Sequence, residues 1–136
     1  MKLTKKIAIK TTPLCLALLA SGVCFSSPVD KEELTQECKY LGTSLSQLAN
    51  ANTKEYCSVD MGYSGVMMGQ SSLLIKANRI QFALDNLNFV YRTLERISSN
   101  HWECSYFSSM VMPFLEKTSN LARELESIAY VSSSNE

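Results

Sequence analysis

The sequence predicts an all-α protein: a small helical bundle of three long helices plus one short glycine-rich helical segment, following a cleaved signal peptide. Three observations support this fold class. Apolar residues after residue 30 recur at steps of three and four, which is the spacing of one helix face. Only five glycines and three prolines interrupt the 136 residues. No useful stretch alternates apolar and polar residues as a half-buried strand does.

Residues 1–26 have the three parts of a bacterial export signal. A basic start with four lysines precedes an apolar run over residues 14–25, and small residues then offer cleavage sites between Gly22 and Ser27. The apolar run is about a dozen residues, whereas a membrane-spanning helix needs roughly 20. The sequence therefore predicts a periplasmic or secreted protein without a permanent membrane span. Its mature part, residues 27–136, has room for a single domain.

The predicted mature domain is acidic. Loss of the four signal lysines leaves 9 Lys and Arg against 13 Asp and Glu, a net charge of −4. The basic residues form no cluster or stripe, so the chain lacks the electrostatic pattern that binds a phosphate backbone. We expect no nucleic-acid partner.

A capping pattern and one apolar seam predict the first helix over residues 31–50. Asp30 and Glu33 have the spacing of a capping box, in which side chains satisfy free amides at the helix start. The seam consists of Leu34, Cys38, Leu41, Leu45 and Leu48. The polar sequence Asn50-Ala51-Asn52 is expected to end the helix.

The segment from Thr53 to Gln70 admits two interpretations, a short helix or a flexible loop. Its glycines lie on one helical face and its large apolar residues on another: Gly62, Gly65 and Gly69 against Tyr56, Val59, Tyr63, Val66 and Met67. A glycine face allows a second helix to approach closely, but each glycine also lowers helix stability by up to about 1 kcal/mol. The sequence leaves the choice open.

Two further helices follow. An uninterrupted seam predicts a helix of about 25 residues, formed by Leu73, Ala77, Ile80, Leu84, Leu87, Tyr91 and Leu94. Asn100 and Glu103 then offer a second capping box, followed by a seam from Cys104 to Ile128. Pro113 lies inside this last helix and is expected either to kink it near Ser109 or to split it in two.

Two of the five cysteines, Cys15 and Cys24, lie in the signal, and neither has the flanking residues of a lipidation site. The three mature cysteines are expected to form one disulfide in an oxidising compartment and to leave one free thiol. They are Cys38, Cys57 and Cys104. No two of them have the usual Cys-x₂₋₄-Cys spacing of zinc ligands, so we predict no metal site.

Geometry favours Cys38–Cys57 among the three possible pairs. Residues 42–54 are rich in Gly, Ser, Thr and Asn, and an early end of the first helix would bring these two cysteines together. Cys104 follows the predicted 25-residue helix and should therefore lie at the far end of the bundle. We accordingly predict that Cys104 is buried and free.

A short motif is similar to one in the small helical immunity proteins of type VI secretion. Here Tyr56-Cys57 is followed by Gly62-Tyr63-Ser64-Gly65-Val66, and those proteins carry a Cys…Gly-Tyr-x-x-Gly-Val stretch. The spacing after the cysteine is longer in this chain, and the motif covers about a tenth of its residues. The resemblance implies an exported helical inhibitor and does not assign the chain to that family.

The residues offer little for catalysis. His101 is the only histidine, and no serine lies in a Gly-x-Ser-x-Gly turn. Cys104 is three residues from His101, but it continues an apolar seam, where thiols are usually inert. The sequence thus predicts no catalytic residue and no enzymatic activity.

A small haem- or copper-binding bundle is the alternative function. Haem could be ligated by His101 on one side and by Met61, Met67 or Met68 on the other. Copper(I) could be bound by two pairs of methionines, Met67 with Met68 and Met110 with Met112. Covalent haem attachment needs Cys-x-x-Cys-His, which is absent. Filling of an irregular core explains the methionines more simply, so we predict no bound cofactor.

Three aromatic residues are the candidate partner-binding set. Trp102 and Tyr106 fall off the core seam at the start of the last helix, and Tyr63 belongs to the glycine-bearing segment. The Trp102 ridge could equally pack under that segment. The function we expect is an exported non-catalytic protein-binding domain: either an accessory component of an envelope secretion system or an inhibitor of a toxin or hydrolase.

Overall fold

The computed structural model describes residues 29–133, which form a bundle of five helices without a strand. The helices are α1 (Lys31–Ala51), α2 (Ser58–Lys76), α3 (Ile80–Ser99), α4 (Ser105–Ser108) and α5 (Met112–Ser133). The predicted all-α class is thereby confirmed. No helix within the described range is both long and apolar enough to cross a bilayer. The predicted signal peptide, residues 1–26, lies outside the described residues.

α1 forms where the periodicity predicts it. The Asp30 carboxylate caps its first turn by accepting a hydrogen bond from the Glu32 backbone N–H at 2.9 Å. Four of the five seam residues are buried in the core and Leu48 is half-buried at its edge. The helix continues to Ala51 despite the polar residues in its second half, because its apolar face stays packed throughout.

The glycine-bearing segment is a helix, α2, after a turn over residues 52–57. Its buried residues are Ser58, Met61, Ser64, Gly65, Met68, Ser71, Ser72 and Ile75. The side that the sequence analysis took as its apolar face points to solvent, and Val59, Tyr63 and Val66 are all exposed. The hydrophobic side chains of α2 therefore fall into two main groups. Met61, Met68 and Ile75 are buried, Val59, Tyr63, Val66 and Leu73 are exposed, and Met67 and Leu74 are half-buried.

α1 and α2 pack antiparallel with their backbones in contact. A Cβ atom added to Gly42 would lie 2.8 Å from both the Gly65 carbonyl oxygen and the Gly69 nitrogen. A Cβ on Gly65 would lie 2.8 Å from the Gly42 oxygen and would collide with the Ser46 hydroxyl. A Cβ on Gly69, in contrast, would meet no atom within 4 Å. Two of the glycines are thus required by the close approach of the helices.

The prediction of a single helix of about 25 residues is wrong, because the chain turns at residues 77–79. Asn78 has a left-handed backbone with φ of 57°, and the amides of Asn78 and Arg79 bond back to the carbonyls of Ile75 and Leu74 at 3.0 and 2.8 Å. This is a Schellman helix end, in which asparagine occupies the position usually held by glycine. Leu73 belongs to α2, and α3 returns antiparallel beside it.

The last predicted helix is split in two, which was one of the two outcomes expected for Pro113. α4 is a single turn, and Pro113 occupies the second position of α5, where the missing N–H has no helical partner to lose. α5 packs along α3 and touches α1 over a shorter stretch. There Lys117 forms an ion pair with Glu37 at 3.2 Å. All four long helices contribute to one hydrophobic core.

Candidate partner-binding site

A disulfide joins the start of α2 to the turn before α4. It links Cys57 to Cys104 with their Cα atoms 5.5 Å apart, and Cys38 is the free, buried one of the three cysteines that the structure describes. The predicted Cys38–Cys57 pair is therefore wrong, as is the prediction of a free Cys104. The presence of one structural disulfide agrees with expectation, and such bonds are typical of proteins in oxidising compartments outside the cytoplasm.

Two features of the fold explain the different pairing. α1 runs without interruption to Ala51, so Cys38 lies 13 residues before its end, or about 20 Å away at 1.5 Å per residue. The turn at Asn78 sends α3 back along α2, which returns Cys104 to the α2 start. An Asp60–Arg96 ion pair of 3.1 Å marks the same end of these two helices.

The disulfide brings two exposed aromatic residues to one place. Tyr56 directly precedes Cys57 and is 77% exposed, while Trp102 lies two residues before Cys104 and is 94% exposed. We name this region, Tyr56-Cys57 together with Trp102 to Cys104, the disulfide corner. Nothing else in the described chain covers the Trp102 ring.

Hydrogen bonds close the turn on one side of the corner, and the disulfide restrains the other. The Asn100 side-chain oxygen accepts from the Glu103 backbone N–H at 3.2 Å, and its amide group donates to the Glu103 carboxylate at 2.9 Å. The predicted capping pair thus closes the turn that carries Trp102. On the other side, Cys57 adopts a left-handed backbone with φ of 70°, a conformation that costs an L-residue about 1–2 kcal/mol. The surrounding turn and the disulfide keep it there.

The three predicted partner-binding residues are not equivalent. Tyr106 packs edge-on against Phe107 with ring centroids 5.1 Å apart, and Tyr63 packs in the same way against Phe89 at 5.4 Å. Both retain an exposed edge. Trp102 does not pack under the glycine-bearing helix, because its side chain is 94% exposed. Of the three, Trp102 alone belongs to the disulfide corner; Tyr63 lies about 9 Å along α2 from Cys57.

Tyr56 was missed by the sequence analysis as a surface residue. Its apparent helical phase with Val59 and Tyr63 suggested a packed face, but Tyr56 precedes α2 and all three are exposed. The signal that identifies it is its position next to Cys57, and this signal becomes informative only once the partner cysteine is known.

The geometry does not favour haem ligation by His101 together with Met61, Met67 or Met68. His101 is exposed at the Cys57 end of α2, whereas Met67 and Met68 lie 10 and 11 residues beyond Cys57, about 15 Å along the helix. Met61 is close in sequence to Cys57, but its side chain is completely buried in the core. Among residues 29–131, no three His, Cys, Asp or Glu side chains are grouped so that they could hold a metal ion.

The buried thiol of Cys38 is expected to make the free energy of unfolding decrease at alkaline pH. Burial, and secondarily the neighbouring Glu37 carboxylate, raises the pKa of its thiol from 9.0 to about 12. Below about pH 9 the thiol is neutral in both states; between about pH 9 and 12 the unfolded chain loses this proton and the folded chain keeps it. The free energy of unfolding should therefore decrease over that interval. Urea midpoints measured across it should fall more steeply for the unmodified chain than for Cys38→Ala, and equal slopes would contradict this.

Comparisons of the chain with protein-family models, curated proteins and solved structures find no match.

Proposed function

We propose that the chain is an exported, non-catalytic protein-binding domain that contacts its partner through the disulfide corner. It would serve in the periplasm or outside the cell, as an accessory component of an envelope secretion system or as an inhibitor of a toxin or hydrolase. The observation that carries the proposal is the placement of Trp102 and Tyr56 on the two sides of one disulfide, both almost fully exposed.

The physical argument concerns the energy gained when such a corner is covered. Tryptophan and tyrosine are enriched among the residues that dominate protein–protein affinity. A turn whose backbone is already held by a cross-link loses little freedom on binding, so more of the burial energy appears as affinity. Both conditions hold for Trp102, whose turn is closed by the Asn100–Glu103 bonds and by the disulfide.

The chemistry of the surroundings favours a folded protein as the partner. Charged residues of both signs, Lys54, Glu55 and Glu103, are exposed near the two aromatic rings. A lipid surface would select a basic rim around the apolar residues. An apolar centre within a mixed polar rim is instead the usual composition of a protein interface. A recess that accepts the Trp102 ring is the complementary feature we expect on the partner.

The test is comparative capture from an envelope extract of the source cells. The immobilised exported chain is compared with Trp102→Ala, Tyr56→Ala and the control Tyr40→Ala, which removes a tyrosine 68% exposed in the middle of α1. We expect one protein to be retained by the unmodified chain and the control, and to be reduced at least roughly tenfold by Trp102→Ala. Retention of the same proteins in the same amounts by all four baits would contradict the proposal.

A further inference from the structure

The outer face of α2 is an apolar stripe that the other described helices leave largely exposed. Going along the helix, its exposed residues recur at steps of four and three, with Gln70 as the single polar member: Val59, Tyr63, Val66, Gln70 and Leu73. At 100° per residue they fall within an arc of about 80°. The four apolar members are 52–83% exposed, so this face is separate from the core.

α3 extends the stripe with two aromatic rings. Phe89 packs edge-on with Tyr63 at 5.4 Å and is 41% exposed. Phe82, two turns earlier on α3, is 54% exposed and has the Arg79 guanidinium 4.4 Å from its ring centroid. The α2 stripe together with Phe82 and Phe89 is called the α2–α3 face below.

The area of this face is sufficient for a specific association. Its six apolar residues expose on the order of 600 Å², given that whole aromatic side chains bury 150–250 Å². Continuous apolar patches of this size are at the upper end for monomeric proteins. Two such faces would bury about 1,200 Å² together, which is at the lower limit of stable, specific protein interfaces.

The distribution of charge indicates which kind of partner the α2–α3 face can bind. α2 carries no charged residue between Asp60 and Lys76, so the stripe offers nothing to attract a charged ligand. It also lacks the row of basic residues with which interfacial helices bind lipid headgroups. Apart from the Arg79 guanidinium beside Phe82, the α2–α3 face is uncharged and mostly apolar. A partner surface of the same composition is its complement, and an identical face satisfies that condition.

The order of residues along the stripe is suited to a two-fold arrangement. Val66 is its midpoint, with Val59 seven residues before and Leu73 seven residues after. Antiparallel pairing of α2 with α2 of a second copy places Val59 of each chain near Leu73 of the other. It also places the Asp60 end of one helix toward the Lys76 end of its mate, whereas parallel pairing would align like charges.

We propose that the α2–α3 face is the interface of a homodimer, in which the α2 helices of two copies cross antiparallel near Val66. The interface differs from the disulfide corner, so the inference stands apart from the proposed function. A two-fold axis near Val66 brings this residue close to its own copy. Each copy then buries the exposed apolar residues of its α2–α3 face.

The test uses sedimentation equilibrium of the exported chain over a range of concentrations. We expect a monomer–dimer equilibrium with a dissociation constant on the order of micromolar. Val66→Lys and Val66→Glu, each of which keeps a helix-compatible residue at a half-exposed site, should weaken the dimer at least tenfold because they place like charges together. The control Tyr40→Lys, on α1, should leave the constant unchanged.

A mixture of the two Val66 variants tests whether the two-fold axis of the dimer lies near this residue. An equimolar mixture of Val66→Lys and Val66→Glu should restore the dimer as a heterodimer, since opposite charges then meet near the two-fold axis. Matching thermal midpoints for all variants, measured well below the dissociation constant where every variant is monomeric, would show that folding is preserved. A chain that stays monomeric at every concentration would overturn the proposal, as would a dimer that Val66→Lys does not weaken or a mixture that does not recover. Trp102→Ala should leave this dimer intact.

Discussion

Replacing both half-cystines, Cys57→Ala with Cys104→Ala, is expected to lower the free energy of unfolding by about 4 kcal/mol. The disulfide joins residues 47 positions apart, and the entropy lost by closing a loop of that length in the unfolded chain corresponds to roughly this value. The removed contacts add to it, because Cys104 is buried. For a domain of this size, such a loss is a large part of the total stability.

Urea unfolding with and without a reductant separates the cross-link from packing. The double variant should have the same midpoint in both conditions, while the unmodified chain should lose most of its advantage when reduced. Cys38→Ala is the matched control, because it removes a buried thiol and leaves the disulfide in place, so its response to the reductant should equal that of the unmodified chain. Equal midpoints for the oxidised chain and the double variant would show that the bond does not stabilise the fold.

Gly65→Ala is expected to destabilise the protein by about 3 kcal/mol, and Gly42→Ala by a similar amount. The added Cβ of Gly65→Ala would lie within 2.8 Å of backbone atoms on α1, so the two helices must separate along their whole contact. Overpacking of this kind costs roughly 1–3 kcal/mol or more. The higher helix propensity of alanine offsets less than about 1 kcal/mol of it.

Gly69→Ala is the matched control for the glycine contact. It makes the same chemical change on the same helix, but its Cβ meets no atom within 4 Å. We expect it to be neutral or to stabilise the chain by up to about 1 kcal/mol through helix propensity alone. Thermal or urea unfolding of the three variants measures the difference. Similar effects at positions 65 and 69 would mean that α1 and α2 are not in backbone contact.

The fold could be predicted from the sequence wherever a seam coincides with one helix. α1 shows this case, because its apolar residues face a single core along its full length. The turn at Asn78 could not be predicted in the same way. Leu73, Ala77 and Ile80 continue the four-and-three spacing across the turn, and an asparagine rather than a glycine ends α2. Leu73 is exposed on α2, so the unbroken pattern joined residues from two different surfaces.

The turn at Asn78 also determines where Cys104 and Trp102 lie relative to Cys57. With one 25-residue helix, Cys104 would lie at the opposite end of the bundle from Cys57; with two antiparallel helices, it lies next to it. Trp102 could be selected from the sequence because it falls off the core seam. Tyr56 could not, since its placement at the same corner as Trp102 depends on a disulfide that local spacing does not reveal.

Tryptic mapping of the oxidised protein without reduction tests the central claim most directly. Trypsin places Cys38, Cys57 and Cys104 on separate peptides, residues 32–39, 55–76 and 97–117, so the pairing follows from the masses alone. The disulfide corner predicts one linked species of 55–76 with 97–117, which a reductant separates, and 32–39 as a free thiol labelled only after unfolding. A linked species that contains 32–39 would contradict the pairing, and with it the corner that presents Tyr56 and Trp102 together.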